Sequence, residues 1–272
     1  MHKFASFNHK ILPADNININ AISSASLYGK GIFTTFSIHN SKPFLWKKHW
    51  RRLNENAETL NINLSHFSEK KVYESLERII KKNNLRNARC RITFFDESLS
   101  KIWQTSNENQ TSLLIQTADL RESKENISLT ISPFPINSKS PITGVKSCNY
   151  LENLLAFENA GSNGFDEAIR LNERGEITSA CMANIFWLKG ETLFTPSLKT
   201  GCLAGTTREY IMEKQNVFEV EESLEVLDKA EIIFLSSSGI GITQIGKFQA
   251  KEFVRVLSPA FRQFFIHNQE AA

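Results

Sequence analysis

The chain has 272 residues, 41% of them apolar and 22% charged, and a formal net charge of +3. This composition excludes a disordered or fibrous chain, and the length allows one large domain or two modest ones with real hydrophobic cores. The small positive balance, spread along the chain, argues against a nucleic-acid partner while leaving small anionic substrates unrepelled.

No window approaches about 18 uninterrupted apolar residues, and the opening MHKFASFNHK lacks the apolar core of a secretory leader, so no membrane partner is expected. Cys90, Cys148, Cys181 and Cys202 lie far apart, with no CxxC pair and no histidine at metal-ligand spacing. They read as thiols of a reducing compartment, and the expectation is a soluble cytoplasmic protein without a bound metal.

In chain order, GIFTTFSIHNSKPFLW holds two β-rich runs around His39-Asn40-Ser41 and reads as a hairpin. KKHWRRLNENAETLNI has helical spacing, with Trp46, Leu53 and Ala57 on one face. A second helix starts near Ser68, because Val72, Leu76, Ile79 and Ile80 recur at i, i+4, i+7 and i+8. ARCRITFFD and SLLIQTADL read as strands. Between Arg121 and Lys146 the texture turns polar, with Pro133, Pro135 and Pro141 close together, as in an interdomain connection that has room for a short strand. The expected division is 1–124 and 125–272.

Beyond the connection, NYLENLLAFENAG reads as a helix with Tyr150, Leu151, Leu154 and Leu155 as its apolar face and Gly161 as its stop. DEAIRLN and NIFWLKGETLFTP read as strands, the latter a hairpin around Lys189-Gly190. TTREYIMEK reads as a short helix, and AEIIFLSSSGIG as a strand that ends in small polar residues. The pattern is α+β or α/β with much antiparallel strand.

Several residues invite chemistry, each beside a plainer reading. Lys146, between a proline-bounded extended segment and an apolar helix, is either a solvated lysine at a helix start or a desolvated amine with a lowered pKa. In LAGTTREYIME, Thr206 and Thr207 either cap a helix or join its amides in a phosphate site. Ser237 and Ser238 close a strand with hydroxyls and carry the same two readings. Arg52 is either a solvated helix arginine or a fork for a phosphate.

Taken together and in order, HWRRL near residue 50, VKSCNYLENLLA near 150, DEAIRLNERGEIT with Asn184 six residues on, and GCLAGTTRE near 205 resemble the class IV aminotransferases. This fold type IV group of pyridoxal-phosphate enzymes includes branched-chain aminotransferases, D-amino-acid transaminases and aminodeoxychorismate lyases. The resemblance spans about residues 26 to 247. It implies a D-amino-acid aminotransferase-like fold, with a small N-terminal α/β domain and a larger β-rich C-terminal domain, and pyridoxal 5'-phosphate as cofactor. It further implies a small-molecule amine substrate and a homodimer. Lys146 would form the Schiff base and carry the proton; Arg52, Thr206, Thr207 and Ser238 would hold the phosphate, and Asn149, Ser179 and Ser237 would also lie at the cofactor.

Within the family, the three-residue spacing from Lys146 to Asn149 and the Thr34 of GIFTTFSI lean toward the lyases. Tyr28, Thr34, Arg89 and Arg91 are candidates for the substrate, although strand alternation also allows both arginines on a solvent face. The lyases' arginine- and glycine-rich segment after RCRITFFDESLS has no glycine here, and Lys30 stands where the family usually has Asp. The larger departure is Ser179, which replaces the glutamate that pairs with the pyridine nitrogen. A carboxylate favours a protonated ring, whereas a hydroxyl offers only a neutral hydrogen bond, so the ring becomes a weaker electron sink. That penalises transamination more than an elimination whose product becomes aromatic, as in conversion of aminodeoxychorismate to p-aminobenzoate and pyruvate. The alternatives are a transaminase of branched-chain or D-amino acids, and a cofactor-binding homologue without turnover.

Overall fold

A computed structural model describes residues 1–99, 110–121, 124 and 126–254. The described residues form two compact units, one of those within 1–121 together with Val145–Asn149, the other of those within 124–144 and 150–254. The expected boundary at 124/125 falls on a segment of which only Lys124 and Asn126 are described. Residues 145–149 belong with the first unit, so one cut does not divide the chain.

In the first unit the order is β1 (Phe4–Phe7), β2 (Lys10–Pro13), α1 (Ser24–Tyr28), β3 (Gly31–His39), β4 (Lys42–Pro43), α2 (Trp46–Thr59), α3 (Glu69–Lys82), β5 (Ala88–Asp96) and β6 (Thr111–Ala118). The strands form one antiparallel sheet in the order β2-β1-β6-β5-β3-β4. Asn40 and Ser41 both take positive φ, 48° and 65°, the primed geometry that suits a tight hairpin. Ile32, Phe36 and Ile38 alternate along β3 onto a core shared with Ile92, Phe94 and the α3 stripe of Val72, Leu76, Ile79 and Ile80. Ser68 caps α3 by accepting from the Lys71 amide. On α2 the buried stripe is Trp46, His49, Arg52, Leu53, Asn56 and Ala57, which turns an imidazole and a guanidinium inward.

In the second unit the order is β7 (Ile127–Ile131), α4 (Leu151–Ser162), β8 (Glu167–Leu171), β9 (Ile177–Ala180), β10 (Asn184–Lys189), β11 (Thr192–Pro196), α5 (Thr206–Lys214), β12 (Val217–Val220), α6 (Glu225–Asp228), β13 (Ile232–Ser237), β14 (Gly241–Phe248) and β15 (Lys251–Glu252). They build a mixed sheet in the order β12-β11-β10-β13-β14-β7-β8-β9, with β15 on β14. The core on one side gathers Ile169, Ile177, Ala180, Ile185, Ile233 and Leu235. On β8 and β9 the opposite face meets α4, where Ala156 and Ala160 pack on Ala168 and Cys181.

Two expectations for α4 are corrected. Its packed face is alanine, while Leu151, Leu154 and Leu155 are 66%, 44% and 46% exposed, because only small side chains let the helix approach the sheet closely. Gly161 lies inside the helix, and the turn away comes at Gly164, with φ +79°. Among the described residues no helix is long and apolar enough to cross a membrane, and no cluster of ligating side chains suits a metal.

Candidate active site

Lys146 is held by backbone pairing, not by a regular element of its own. The Phe33 amide donates to Lys146 O at 2.9 Å and the Cys148 amide to Gly31 O at 2.8 Å, which adds residues 146–148 to the edge of β3. Gly31 is needed there, since a Cβ would sit 2.9 Å from Cys148 Sγ and 3.0 Å from Phe94 O. The Lys146 ammonium lies 4.6 Å from the centre of the Phe33 ring, and the Arg91 guanidinium stacks on the same ring at 3.7 Å. Burial, with the charges of Arg52 and Arg91 behind it, pulls the Lys146 ammonium down to about 7. Near neutral pH the amine is therefore uncharged about half the time, as a nucleophile or base requires.

A buried hydrogen-bond chain runs beside it. Arg52 Nη2 donates to Thr34 Oγ1 at 2.8 Å, and Thr34 Oγ1 lies 2.6 Å from His49 Nδ1. The Thr34 hydroxyl hydrogen meets no other acceptor among the described residues, so it points to Nδ1 and the ring proton is assigned to Nε2. Burial, then Arg52 and Lys146, depress the His49 pKa well below its ordinary value, keeping the ring neutral. Thr34, a candidate for substrate, thus has its hydroxyl committed to the Arg52 side of β3. His49 escaped the sequence reading, although it shares the helical stripe of Trp46, Leu53 and Ala57.

The second unit supplies a cluster of hydroxyls. Ser238 Oγ lies 2.6 Å from Thr206 Oγ1 and 2.9 Å from Thr207 Oγ1, all three side chains being buried. The threonines open α5, whose first-turn amides lack intrahelical acceptors, so hydroxyls and helix N-terminus favour an anion together. Asn184 anchors the approach by donating from Nδ2 to Leu203 O at 2.9 Å. A Cβ on Gly205 would overlap Asn184 Oδ1. Ser237 pairs with Gly241 in the β13–β14 ladder and is half-buried, one residue short of the cluster.

Ser179 sits on β9 directly opposite Arg170 of β8, 8% exposed, and its hydroxyl makes no hydrogen bond among the described residues. Glu167, the buried carboxylate nearby, points elsewhere: it accepts from the amides of Cys181, Met182 and Ala168 and is raised in pKa by burial. Neither Glu167 nor Arg170 was singled out in the sequence.

The chain matches the family model for class IV amino-transferases over residues 31–248. The chain belongs to the class IV aminotransferase family. It is 28% identical to the aminodeoxychorismate lyase of Bacillus subtilis, across 82% of this chain and 79% of that one. It is 26% identical to the branched-chain-amino-acid aminotransferase of Escherichia coli K12, across 97% and 93%. A crystal structure of the E. coli branched-chain aminotransferase superposes with a TM-score of 0.90 at 24% identity, covering 98% of this chain and 93% of that one, and so shares the fold.

As a class IV aminotransferase family member the protein is a pyridoxal-phosphate-dependent enzyme of fold type IV. Each unit by itself holds groups suited to that cofactor: the first a buried arginine and an amine titrating near 7, the second a hydroxyl-lined helix N-terminus. The other candidates are placed less centrally. Asn149 is exposed and donates to Gly29 O at 3.2 Å, closing α1. Tyr28 is 42% exposed. Arg89 is half-buried opposite Ser37, two residues along the same strand face from Arg91. Lys30 forms an ion pair with Asp96 at 2.7 Å.

Gly205→Ala is expected to push Asn184 off Leu203 O and disturb the start of α5, costing about 2 kcal/mol of stability. Cofactor affinity, measured by fluorescence titration, should fall with it. An unchanged affinity would show that the 203–205 approach does not shape the anion site.

Proposed function

We propose that this enzyme is a 4-amino-4-deoxychorismate lyase, which eliminates pyruvate to give 4-aminobenzoate, and that it works as a homodimer. The carrying observation is Ser179, whose face of the β8–β9 pair holds no carboxylate aimed at its hydroxyl, with Glu167 engaged by three backbone amides. Similarity to the B. subtilis lyase supports the reading. The exposed Leu151, Leu154 and Leu155 offer apolar surface to a second copy.

Bound pyridoxal phosphate supplies the electron sink. By the family resemblance, Arg52 of the first unit and the Thr206, Thr207 and Ser238 hydroxyls of the second would each serve its phosphate, and Lys146 would attach it. Lys146 Nζ would take the proton from the substrate carbon that bears the nitrogen; the C–O bond on the neighbouring ring carbon would break to release enolpyruvate, which takes up a proton to become pyruvate, and aromatisation of the ring would drive the step. Arg91, stacked on Phe33 beside Lys146, binds a substrate carboxylate.

A branched-chain or D-amino-acid transaminase is the second reading, favoured by the match to the E. coli aminotransferase along nearly the whole chain. Purified holoenzyme given aminodeoxychorismate is expected to release 4-aminobenzoate and pyruvate in equal amounts. Faster conversion of the cofactor to its pyridoxamine form by branched-chain or D-amino acids would establish the transaminase instead.

A further inference from the structure

Arg170 has no part in the chemistry described so far, yet it is among the most deeply buried side chains in the protein, 1% exposed. It stands directly across the β8–β9 ladder from Ser179. Directly opposed residues of an antiparallel pair project on the same face, with Cα atoms about 4.5–5.5 Å apart. That face is the α4 side, because Ala168, two residues before Arg170, packs with Ala156 and Ala160. The guanidinium is fastened there: Nε donates to Phe134 O at 3.1 Å, Nη2 to Pro135 O at 3.1 Å and Nη1 to Asn153 Oδ1 at 3.3 Å.

These partners orient the cation without neutralising it. Its one carboxylate contact among the described residues is Glu152 of α4, at 3.4 Å, and that side chain is 77% exposed and screened by water. Glu167 lies on the same strand but alternates to the other face and is held by the amides of Ala168, Cys181 and Met182. The neighbouring Cys181 thiol is pushed up in pKa by burial and then by Glu167, so it stays neutral. The Ser179 position therefore carries a hydroxyl under a buried, weakly compensated positive charge.

Resting on the reading that Ser179 faces the pyridine nitrogen of the bound cofactor, we propose that Arg170 holds that nitrogen unprotonated. Serine alone would leave the ring free to take a proton in acid; a fixed cation on the same face opposes it, since like charge disfavours the protonated ring. The pair Arg170 and Ser179 thus acts as one unit, and it has a second consequence. A carboxylate introduced at 179 meets Arg170 across the strand and is captured by it, so restoring the acid alone does not restore a protonated ring.

The test uses holoenzyme loaded with cofactor labelled with ¹⁵N in the pyridine ring, read by NMR between pH 6 and 9. The wild type is expected to show the unprotonated resonance throughout, and Ser179→Glu to stay close to it. Ser179→Glu combined with Arg170→Met should move the resonance to the protonated position. Arg170→Met alone should raise the protonation midpoint by at least about one pH unit, and Arg170→Lys by much less. A strut that merely held Phe134 O and Pro135 O would change thermal stability without moving this resonance.

A protonated ring in the wild type at neutral pH overturns the proposal, as does full protonation in Ser179→Glu alone; the latter leaves Arg170 untouched and decides the question even if Arg170→Met does not fold. Failure to release 4-aminobenzoate from aminodeoxychorismate would instead overturn the lyase reading and leave the ring-nitrogen result standing.

Discussion

Lys146→Ala is expected to abolish the visible absorbance of attached cofactor and to lower turnover by at least about 10³-fold, the combined scale of losing a nucleophile and a general base. The pH dependence identifies the cause. Burial and the charges of Arg52 and Arg91 hold the wild-type amine near 7, so attachment of added cofactor should accelerate up to about that pH and then level off. A solvated lysine would keep gaining about tenfold per pH unit to beyond pH 10. The same shift appears in stability. Between about 7 and 10.5 the unfolded chain carries a proton on Lys146 that the folded, cofactor-free protein does not. This group's contribution therefore grows more favourable as pH rises through that window, and its penalty is full below it. Lys146→Ala should remove that part of the slope, with its greatest stabilisation of cofactor-free protein on the acid side. Attachment at wild-type rates in the variant would assign the chemistry to another amine.

What the sequence made legible follows from how local each signal is. The α3 stripe of Val72, Leu76, Ile79 and Ile80 and the Asn40-Ser41 turn are set by neighbours a few residues apart, and they form as the pattern predicts. Lys146, Arg52 and the Thr206-Thr207 pair stood out because ordered motifs carry them. Other features depend on partners far along the chain. β1 and β2 went unread, since FASF and KILP are too short to show a period and are fixed by pairing with each other and with Leu114 and Ile115. The docking of residues 146–148 on β3 uses backbone groups only, which leave no trace in side-chain pattern. On α4 the leucine periodicity predicted the packed face, but close approach to β8 selected alanines. The pairing of Arg170 with Ser179 depends on a register shift just beyond it, where Leu171 faces Ile177, and no count along the sequence reveals that.

Arg52→Met is expected to weaken cofactor binding by about 100-fold, the loss of a buried fork whose charge-assisted hydrogen bonds are worth roughly 1.5–3 kcal/mol each. Arg52→Lys should recover only part of this, because an ammonium keeps the charge but lacks the planar pair of donors. The environment sharpens the prediction. Arg52 is 7% exposed and its Nη2 is held on Thr34 Oγ1, which in turn donates to the neutral His49 ring. Thr34→Val breaks that chain without touching the charge, so its effect should be smaller, about fivefold in affinity, and expressed through loss of orientation. Arg52 is also one of the two cations that depress the Lys146 amine. Removing it should therefore move the pH at which attachment levels off upward, while Arg52→Lys leaves it near the wild-type value. Affinity and pH profile are independent readings of one side chain. If Arg52→Met weakened binding but left the profile in place, Arg52 would serve the phosphate alone, and burial with Arg91 would account for the reactive amine.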